Sequence, residues 1–202
     1  MLTHTDNEST ITALLLAAGS SSRMGQSKQL LPVKGVPLLR KTVLTALAAN
    51  INRLVVVLGH EGKQHEVVLN DLDIDIVHHA GWEKGIGSSI KAGTLHILKK
   101  HESTQALLIM VCDQPHITTN HLNNLIDEYR TPEAPIIASK YAQTTGVPVI
   151  FDKTVFPEIL NLEDGQGAKK ILNAHKNELL SIDFPKGEID IDTPDDYEKH
   201  LC

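Results

Sequence analysis

The chain of 202 residues is long enough for one substantial hydrophobic core, and its 41% hydrophobic and 22% charged residues are ordinary for a globular protein. A formal charge of −6 argues against a general nucleic-acid binder, and no apolar run approaches the roughly 18 residues of a membrane-spanning helix. The two cysteines, Cys112 and Cys202, are far apart, which favours a soluble protein of the reducing cytoplasm over a disulfide scaffold.

The first ten residues, MLTHTDNEST, are mostly polar, which predicts a flexible N-terminal tail rather than a signal peptide. Residues 11–202 are then expected to form a single domain. Four short apolar runs stand out in it: ITALLLAA (11–18), LVVVL (54–58), DIDIVHH (73–79) and ALLIMVC (106–112). Because these runs lack strict alternation with polar residues, they are typical of strands covered on both faces of a parallel sheet.

Helical patterns lie between these runs. Pro37 predicts the first turn of one helix, residues 62–70 and 88–100 predict two more, and Thr118 or Thr119 predicts the N-cap of a fourth. Further on, strands are expected at PIIAS, VPVIF and ELLSIDF, a helix at 166–176, and a short strand followed by a helix at EIDIDTPDDY. This alternation predicts an α/β fold, a Rossmann-like, doubly wound, three-layer sandwich whose mostly parallel sheet gains mixed or antiparallel strands in the C-terminal half.

The stretch GSSSRMGQSK (19–28) directly follows the first predicted strand. In doubly wound sheets, ligands bind beyond the carboxyl ends of the strands. Gly19 and Gly25 allow close approach of the backbone to a ligand, and Arg23 and Lys28 supply positive charge for a polyphosphate. The spacing is neither that of a Walker A loop nor GxGxxG, and a mobile surface turn is the simpler alternative. We favour a phosphate-binding loop because two cations follow the strand so closely.

Two carboxylates, far apart in the sequence, are candidates for a metal site. Asp113 ends the ALLIMVC strand, where a turn or helix-capping aspartate is the alternative interpretation. Asp192 precedes Thr193, where a short strand is expected to pass into the last helix, and Asp190 would share its face of that strand. Mg²⁺ usually takes one or two carboxylates together with water and phosphate oxygens. Asp113 and Asp192 therefore predict a Mg²⁺ site.

The segment GWEKGIGSSIKAG (81–93) places Gly85 and Gly87 before Ser88 and Ser89 at a predicted helix start. The serines could cap the helix, or with the glycines they could let a base or ribose lie against the backbone, which is the interpretation we favour. The eleven histidines show no HExxH spacing, and the chain carries no GxSxG motif. Neither a zinc site nor covalent catalysis is therefore predicted.

Five segments, taken in order, resemble the motifs of the MobA-like NTP transferases, and within that family the molybdenum cofactor cytidylyltransferase branch. These segments are LAAGSSSRMGQSKQLLPVKGVPLL, GWEKGIGSSIKAG, VCDQP, GVPVIF and DIDTPDDY. The resemblance runs from about Ile11 to Tyr197 and implies a nucleotide-diphospho-sugar transferase-like fold. It also implies Mg²⁺-dependent transfer of a nucleoside monophosphate, CMP from CTP, to the phosphate of a pterin-type acceptor, molybdopterin, with release of pyrophosphate.

The resemblance implies site residues as well. The residues implied for nucleotide binding are Leu16, Ala17, Ala18, Gly19, Arg23, Lys28, Gly87, Ser88 and Asp113. Catalysis is implied for Arg23, Lys28 and Asp113, and Mg²⁺ binding for Asp113 and Asp192. The residues implied for the acceptor side are Gly146, Val147 and Pro148.

Three features bear on the substrates. Gln26-Ser27 stands where guanylyl-transferring relatives carry glycine and aspartate, which favours CTP over GTP. The branch often reads Asn-Pro-Asp-Trp where this chain has His79-Ala80-Gly81-Trp82, and Gly-Asp-x-Gly-Ala-Arg where it has residues 164–169, ending in Lys169. Lysine cannot copy the bidentate fork of arginine, so the acceptor is expected to differ or to bind more weakly.

Two alternatives to this function stay open. One is a guanylyl or sugar-phosphate nucleotidyltransferase on the same scaffold, and the other is a non-catalytic nucleotide-binding accessory protein that serves a molybdoenzyme. No nucleic-acid or membrane partner is expected.

Overall fold

The computed structural model describes residues 9–131 and 134–201, so most of the predicted tail and Cys202 lie outside the described residues. The strands are β1 (Ile11–Ala17), β2 (Pro32–Val33), β3 (Val36–Pro37), β4 (Arg53–Leu58), β5 (Asp75–His78), β6 (Ala106–Val111), β7 (Ile136–Tyr141), β8 (Thr144–Asp152) and β9 (Leu179–Asp183). The α-helices are α1 (Leu38–Leu47), α2 (Gly62–Val67), α3 (Ile86–Lys100), α4 (Thr119–Arg130), α5 (Phe156–Leu160), α6 (Lys169–Ala174) and α7 (Pro194–Leu201).

Seven of these strands form one mixed sheet in the order β5-β4-β1-β6-β8-β7-β9. Strands β5, β4, β1 and β6 are parallel, whereas β8 runs antiparallel to both β6 and β7, and β9 is parallel to β7. Strands β7 and β8 are joined at Ala142 and Gln143, which both have positive φ, as a tight hairpin turn requires. The predicted doubly wound α/β fold with antiparallel additions is confirmed.

The sheet separates two hydrophobic layers, because successive residues of its central strand point to opposite faces. Ala13 and Leu15 of β1 pack into the layer that holds the apolar faces of α1 and α4. Leu14 and Leu16 pack into the other layer, with α3, α5 and α6. Each fully buried leucine contributes about 1.5–3 kcal/mol to folding, so β1 and β6 form the most firmly held part of the molecule.

The strand order reverses between β1 and β6. The chain leaves β1 through α1 toward β4 and β5, and then crosses back through α3 to β6 on the other side of β1. At such a switch point the loops after two adjacent parallel strands diverge and leave a crevice. The loops that begin at Ala18 and Cys112 flank this crevice, and both carry motifs singled out in the sequence.

Several local predictions are corrected. Pro37 does not begin a helix; it ends β3, where it pairs with Pro32 across a short hairpin, and α1 starts at the next residue. Helix α3 begins two residues before Ser88, while α2 and α6 are shorter than the predicted 62–70 and 166–176. The short helix α5 was not predicted.

The expected strand at 188–192 is also wrong, since these residues, all of them described, form no strand. Ile191 donates its N–H to the carbonyl of Asp113 at 2.9 Å, but one hydrogen bond does not make a ladder. The N-cap prediction at Thr118 is confirmed, because its hydroxyl accepts the N–H of His121 at 3.2 Å.

Within the described part of the chain, no helix is both long enough and apolar enough to cross a membrane.

Candidate active site

A cavity of about 310 Å³ opens at the carboxyl ends of β1 and β6, in the crevice at the switch point. The residues predicted to contact a nucleotide that line this cavity are Leu16, Ala17, Ala18, Gly19, Lys28 and Asp113. Ser20, Gln29, Trp82, Glu83 and Ser89 complete its polar and aromatic lining. The structure therefore brings most of the predicted nucleotide site together, in a position where this fold class binds ligands.

The loop after β1 is shaped by one buried amide. Gln29 donates from Nε2 to the carbonyls of Gly19 at 2.8 Å and Ala17 at 3.3 Å. Its Oε1 accepts the hydroxyls of Ser21 at 2.9 Å and Ser27 at 3.0 Å. Because both ends of the side chain are engaged, the loop is held in one shape, which disfavours the mobile-turn interpretation.

Lys28 joins the two predicted metal ligands. Its Nζ lies 2.7 Å from Oδ2 of Asp113 and 2.9 Å from Oδ1 of Asp192, although Lys28 and Asp192 are 164 positions apart in the chain. Burial lowers the pKa of the Lys28 ammonium, but the two carboxylates outweigh it, so the pKa is raised from its ordinary value. Lys28 is therefore charged at neutral pH.

Arg23 reaches the same cluster from outside. One of its guanidinium nitrogens lies 2.7 Å from Oδ2 of Asp192, while 71% of its side chain is exposed. It does not line the cavity, but an exposed arginine at its edge can turn toward an incoming phosphate.

Asp190 adds a third negative charge. Partial burial, together with the charges of Asp113 and Asp192, raises the pKa of its carboxyl to about 6. Across residues 9–131 and 134–201, no three His, Cys, Asp or Glu side chains are arranged to hold a metal ion. Mg²⁺ that is bound to phosphates usually takes only one or two ligands from the protein, and the carboxylates of Asp113 and Asp192 match this number.

Asp192 is positioned by the residues on either side of it. Ile191 is buried beside Met24 and Leu31, beneath the loop after β1. The Thr193 hydroxyl accepts the N–H of Asp196 at 3.2 Å, and Asp196 Oδ2 accepts the N–H of Thr193 at 2.9 Å. This reciprocal cap fixes the start of α7.

The two serines of α3 differ in what they face. The Ser88 hydroxyl is engaged by the carbonyls of Gly85 at 2.7 Å and Gly81 at 3.1 Å, and by the ring of His79 at 3.0 Å. Ser89 is only 4% exposed and lines the cavity. Ser88, the residue implied for nucleotide binding, is thus not part of the cavity lining, whereas Ser89, its neighbour in the segment predicted to lie by a base or ribose, lines the cavity. The contact of Ser88 with the nucleotide stays a prediction. Neither serine caps the helix, whose N-cap is Gly85.

Gly87 is required for a reason unrelated to a ligand. A Cβ at this position would lie 2.1 Å from the carbonyl oxygen of Glu163, in the loop before α6. The Gly87 N–H donates to the carbonyl of Asp164 at 2.8 Å, so this loop satisfies the first amides of α3. Gly87 does not line the cavity, and its predicted contact with the nucleotide stays a prediction.

A second cavity, of about 220 Å³, lies beside the first and shares Leu16, Ile86 and Val111 with it. Two of the predicted acceptor residues, Gly146 and Val147, line this second cavity. Pro148 does not; its carbonyl accepts the hydroxyl of Ser139 at 2.6 Å. The polar lining of the second cavity comes from Tyr141, Thr144, Thr145 and Lys169.

The chain is similar to known proteins over nearly all of its length. Residues 13–179 match the model of the MobA-like NTP transferase domain. The chain is 32% identical to the purine catabolism protein PucB of Bacillus subtilis (strain 168), over 92% of this chain and 93% of that protein. It is 29% identical to the molybdenum cofactor cytidylyltransferase of Escherichia coli (strain K12), over 94% of each.

A solved structure is also similar over nearly the whole chain. The crystal structure of Rv0371C from Mycobacterium tuberculosis H37Rv in complex with manganese superposes with a TM-score of 0.75. The two sequences are 27% identical, and the match covers 96% of this chain and 98% of that one.

Proposed function

Since the chain belongs to the MobA-like NTP transferase family and is a nucleotidyltransferase, we propose that it transfers CMP from CTP to the phosphate of molybdopterin, with Mg²⁺, and releases pyrophosphate. The observation that carries this proposal is the contact of Lys28 with both Asp113 and Asp192, since Lys28 and Asp113 line the cavity between β1 and β6. One strongly held cation beside two carboxylates is the arrangement that a metal-bound polyphosphate needs.

The chemistry follows from these groups. An oxygen of the acceptor phosphate forms a bond to the α-phosphorus of the nucleotide, and the bond from that phosphorus to the bridging oxygen of the β-phosphate breaks. The electron pair leaves with pyrophosphate. A phosphate monoester, with its second pKa near 6, is already largely a dianion at neutral pH, so the attack needs no general base.

The protein's task is then to align the phosphates and to balance their charge. Lys28 and Arg23 would bind the triphosphate, and Asp113 with Asp192 would hold Mg²⁺. When bound, that ion neutralises negative charge on the phosphates. Rv0371C, which shares this fold over nearly its whole length, forms a complex with manganese, and this supports a divalent cation in the present protein.

The choice of CTP is supported by three observations. The loop carries Gln26-Ser27 rather than the glycine and aspartate of guanylyl-transferring relatives, and the chain resembles a cytidylyltransferase over nearly all of its length. Ser89 and residues 16–19 line the first cavity, and their hydroxyl and backbone groups are candidates to meet the polar edge of a base. A pocket shaped for a pyrimidine excludes a purine by size.

The experiment that tests the proposal measures pyrophosphate release with each of the four nucleoside triphosphates, with and without molybdopterin, and with Mg²⁺ or a chelator. We expect release with CTP, dependent on both molybdopterin and Mg²⁺. Preferential incorporation of guanylate would refute the choice of CTP but leave the nucleotidyltransferase intact. Release with a sugar phosphate and none with molybdopterin would refute the acceptor.

A pair of adjacent variants separates the two serines. Ser89→Ala should weaken the affinity for CTP, because Ser89 lines the cavity, whereas Ser88→Ala should chiefly lower thermal stability, because it loses hydrogen bonds within the fold. Equal affinity for CTP in Ser89→Ala and the wild type would remove Ser89 from the nucleotide site.

A further inference from the structure

Tyr141 ends strand β7 and lines the second cavity, and no motif described above includes it. We propose that the hydroxyl of Tyr141 binds the phosphate of the acceptor and so aligns it for attack on the α-phosphorus. This inference rests on the proposed function, because it assigns a residue to the acceptor half of that same reaction.

Two glycines on different segments leave the space that the Tyr141 ring and hydroxyl fill. A Cβ at Gly146 would lie 2.0 Å from the Tyr141 hydroxyl oxygen, and a Cβ at Gly187 would lie 2.6 Å from Cδ1 of its ring. The ring also meets Phe184 edge to face, with centroids 6.1 Å apart. Because side chains are excluded at both glycines, the ring and its hydroxyl have one well-defined site.

Gln114, the residue after Asp113, connects the surroundings of Tyr141 to the loop after β6, which carries the predicted metal ligand Asp113. Its Nε2 donates to the carbonyls of Gly187 at 2.8 Å and Val147 at 3.2 Å. The first of these carbonyls belongs to a glycine that seats Tyr141, and the second belongs to a residue of the second cavity. Tyr141 and Asp113 are therefore fixed relative to each other through a buried side chain.

The surroundings make Tyr141 a hydrogen-bond donor rather than a base. Burial, and then the negative charge of Asp190, raises the pKa of the phenol above its ordinary value, and Gln114 offsets this only in part. The hydroxyl is thus protonated at neutral pH. A neutral O–H is a suitable group to meet a phosphate dianion beside three aspartates, since the acids repel the phosphate and a donor attracts it.

The two cavities set the direction of approach. They share Leu16, Ile86 and Val111, so an acceptor whose body occupies the second cavity has the nucleotide site directly beside it. The second cavity is walled mainly by aliphatic side chains, which give an acceptor body contact area but no contact with its charge. The acceptor phosphate must find donors among the polar lining groups, which are Tyr141, Thr144, Thr145 and Lys169. Of these, Tyr141 is close enough to Asp190 and Asp113 for their charges to act on its hydroxyl.

The test uses Tyr141→Phe, which removes one oxygen and keeps the ring packed against Phe184. The matched control is Tyr129→Phe, since the Tyr129 hydroxyl donates to Asp152 at 2.7 Å and lines neither cavity. We expect Tyr141→Phe to lower kcat/KM for the acceptor roughly 10- to 100-fold, the usual value of a hydrogen bond to a charged group, with unchanged affinity for CTP. Tyr129→Phe should change neither quantity.

A binding measurement keeps this result separate from the identity of the acceptor. Calorimetry with phenyl phosphate, a phosphate monoester on a flat apolar ring, should show weaker binding to Tyr141→Phe than to the wild type and Tyr129→Phe. If turnover with molybdopterin fails in the wild type while this difference remains, the proposed function falls and Tyr141 keeps its role. Equal affinity of all three proteins for phenyl phosphate, or no binding to any of them, would overturn the inference. So would a parallel loss of CTP affinity in Tyr141→Phe, since that would show an effect on the fold.

Discussion

Replacement of Lys28 by methionine tests whether this lysine and Mg²⁺ compete for the same carboxylates. In the structure the Lys28 ammonium donates hydrogen bonds to the carboxylates of Asp113 and Asp192, the two residues predicted to bind the metal. Mg²⁺ would bind weakly until a triphosphate draws Lys28 toward its own oxygens. The Lys28→Met variant should therefore bind Mg²⁺ more tightly than the wild type in the absence of nucleotide.

The stability that Lys28→Met loses, and the part that Mg²⁺ restores, can be estimated from the burial of the three charged groups. The Lys28 side chain is 12% exposed, and the carboxylates of Asp113 and Asp192 are 26% and 31% exposed. Leaving a fully buried charge without its partner costs about 3–5 kcal/mol, and solvent at these carboxylates reduces this to about 1–3 kcal/mol. Mg²⁺ at ten times its Kd would raise the free energy of unfolding of Lys28→Met by about 1.4 kcal/mol. For a domain of this size this corresponds to an increase of about 3–6 °C in Tm.

The assay is thermal unfolding with and without Mg²⁺, at constant ionic strength. Lys100→Met is the matched control, because Lys100 pairs with Asp75 at 2.5 Å and lines neither of the two cavities described above. We expect a Tm increase of several degrees for Lys28→Met and less than about 1 °C for the wild type and Lys100→Met. A Mg²⁺ response of Lys28→Met no larger than that of Lys100→Met would refute the shared site.

Three further predictions concern catalysis, pH dependence and packing. Asp113→Asn and Asp192→Asn should each reduce pyrophosphate release at least about 100-fold with a folded circular dichroism spectrum, because a neutral amide cannot balance Mg²⁺; near wild-type rates would exclude them as ligands. Burial lowers the pKa of His121 to about 4, so the unfolded chain takes up the proton first and stability is lost as the pH falls from about 6.5 toward 4. Urea unfolding should show a loss of up to about 3 kcal/mol over this range that is missing in His121→Gln, and an equal loss in both proteins would contradict the assignment. Gly87→Ala should lower the free energy of unfolding by about 1–3 kcal/mol, because its Cβ meets the Glu163 carbonyl, whereas Gly165→Ala, with open space around it, should cost far less.

The fold was predictable because its signals are local and strong. The apolar runs of β1, β4 and β6 are buried on both faces, and the loop predicted to bind phosphate follows the first of them directly. The strand prediction at 188–192 was wrong because alternating isoleucines and aspartates are also the pattern of a half-buried strand. Ile191 instead fills a small cluster with Met24 and Leu31, a contact that no pattern within the segment encodes.

The candidate site was predictable in its residue types but not in its contacts. Adjacent residues on a helix point about 100° apart, so the sequence could not decide which of Ser88 and Ser89 faces the cavity. Lys28 was predicted to contact phosphates, and its contacts with Asp113 and Asp192 depend on segments that meet only in the folded chain. Tyr141 carries no motif, and its importance emerges from the two glycines that make room for it.

The distance in sequence between Lys28 and Asp192 has a consequence for biosynthesis. Because synthesis proceeds from the N-terminus, the basic loop with Arg23 and Lys28 is made long before Asp192. Until Asp192 has been added, one of the two carboxylates that contact Lys28 is missing. A nascent or prematurely terminated chain that ends before this residue would thus carry the cationic loop without the complete pair of carboxylates that is predicted to hold Mg²⁺.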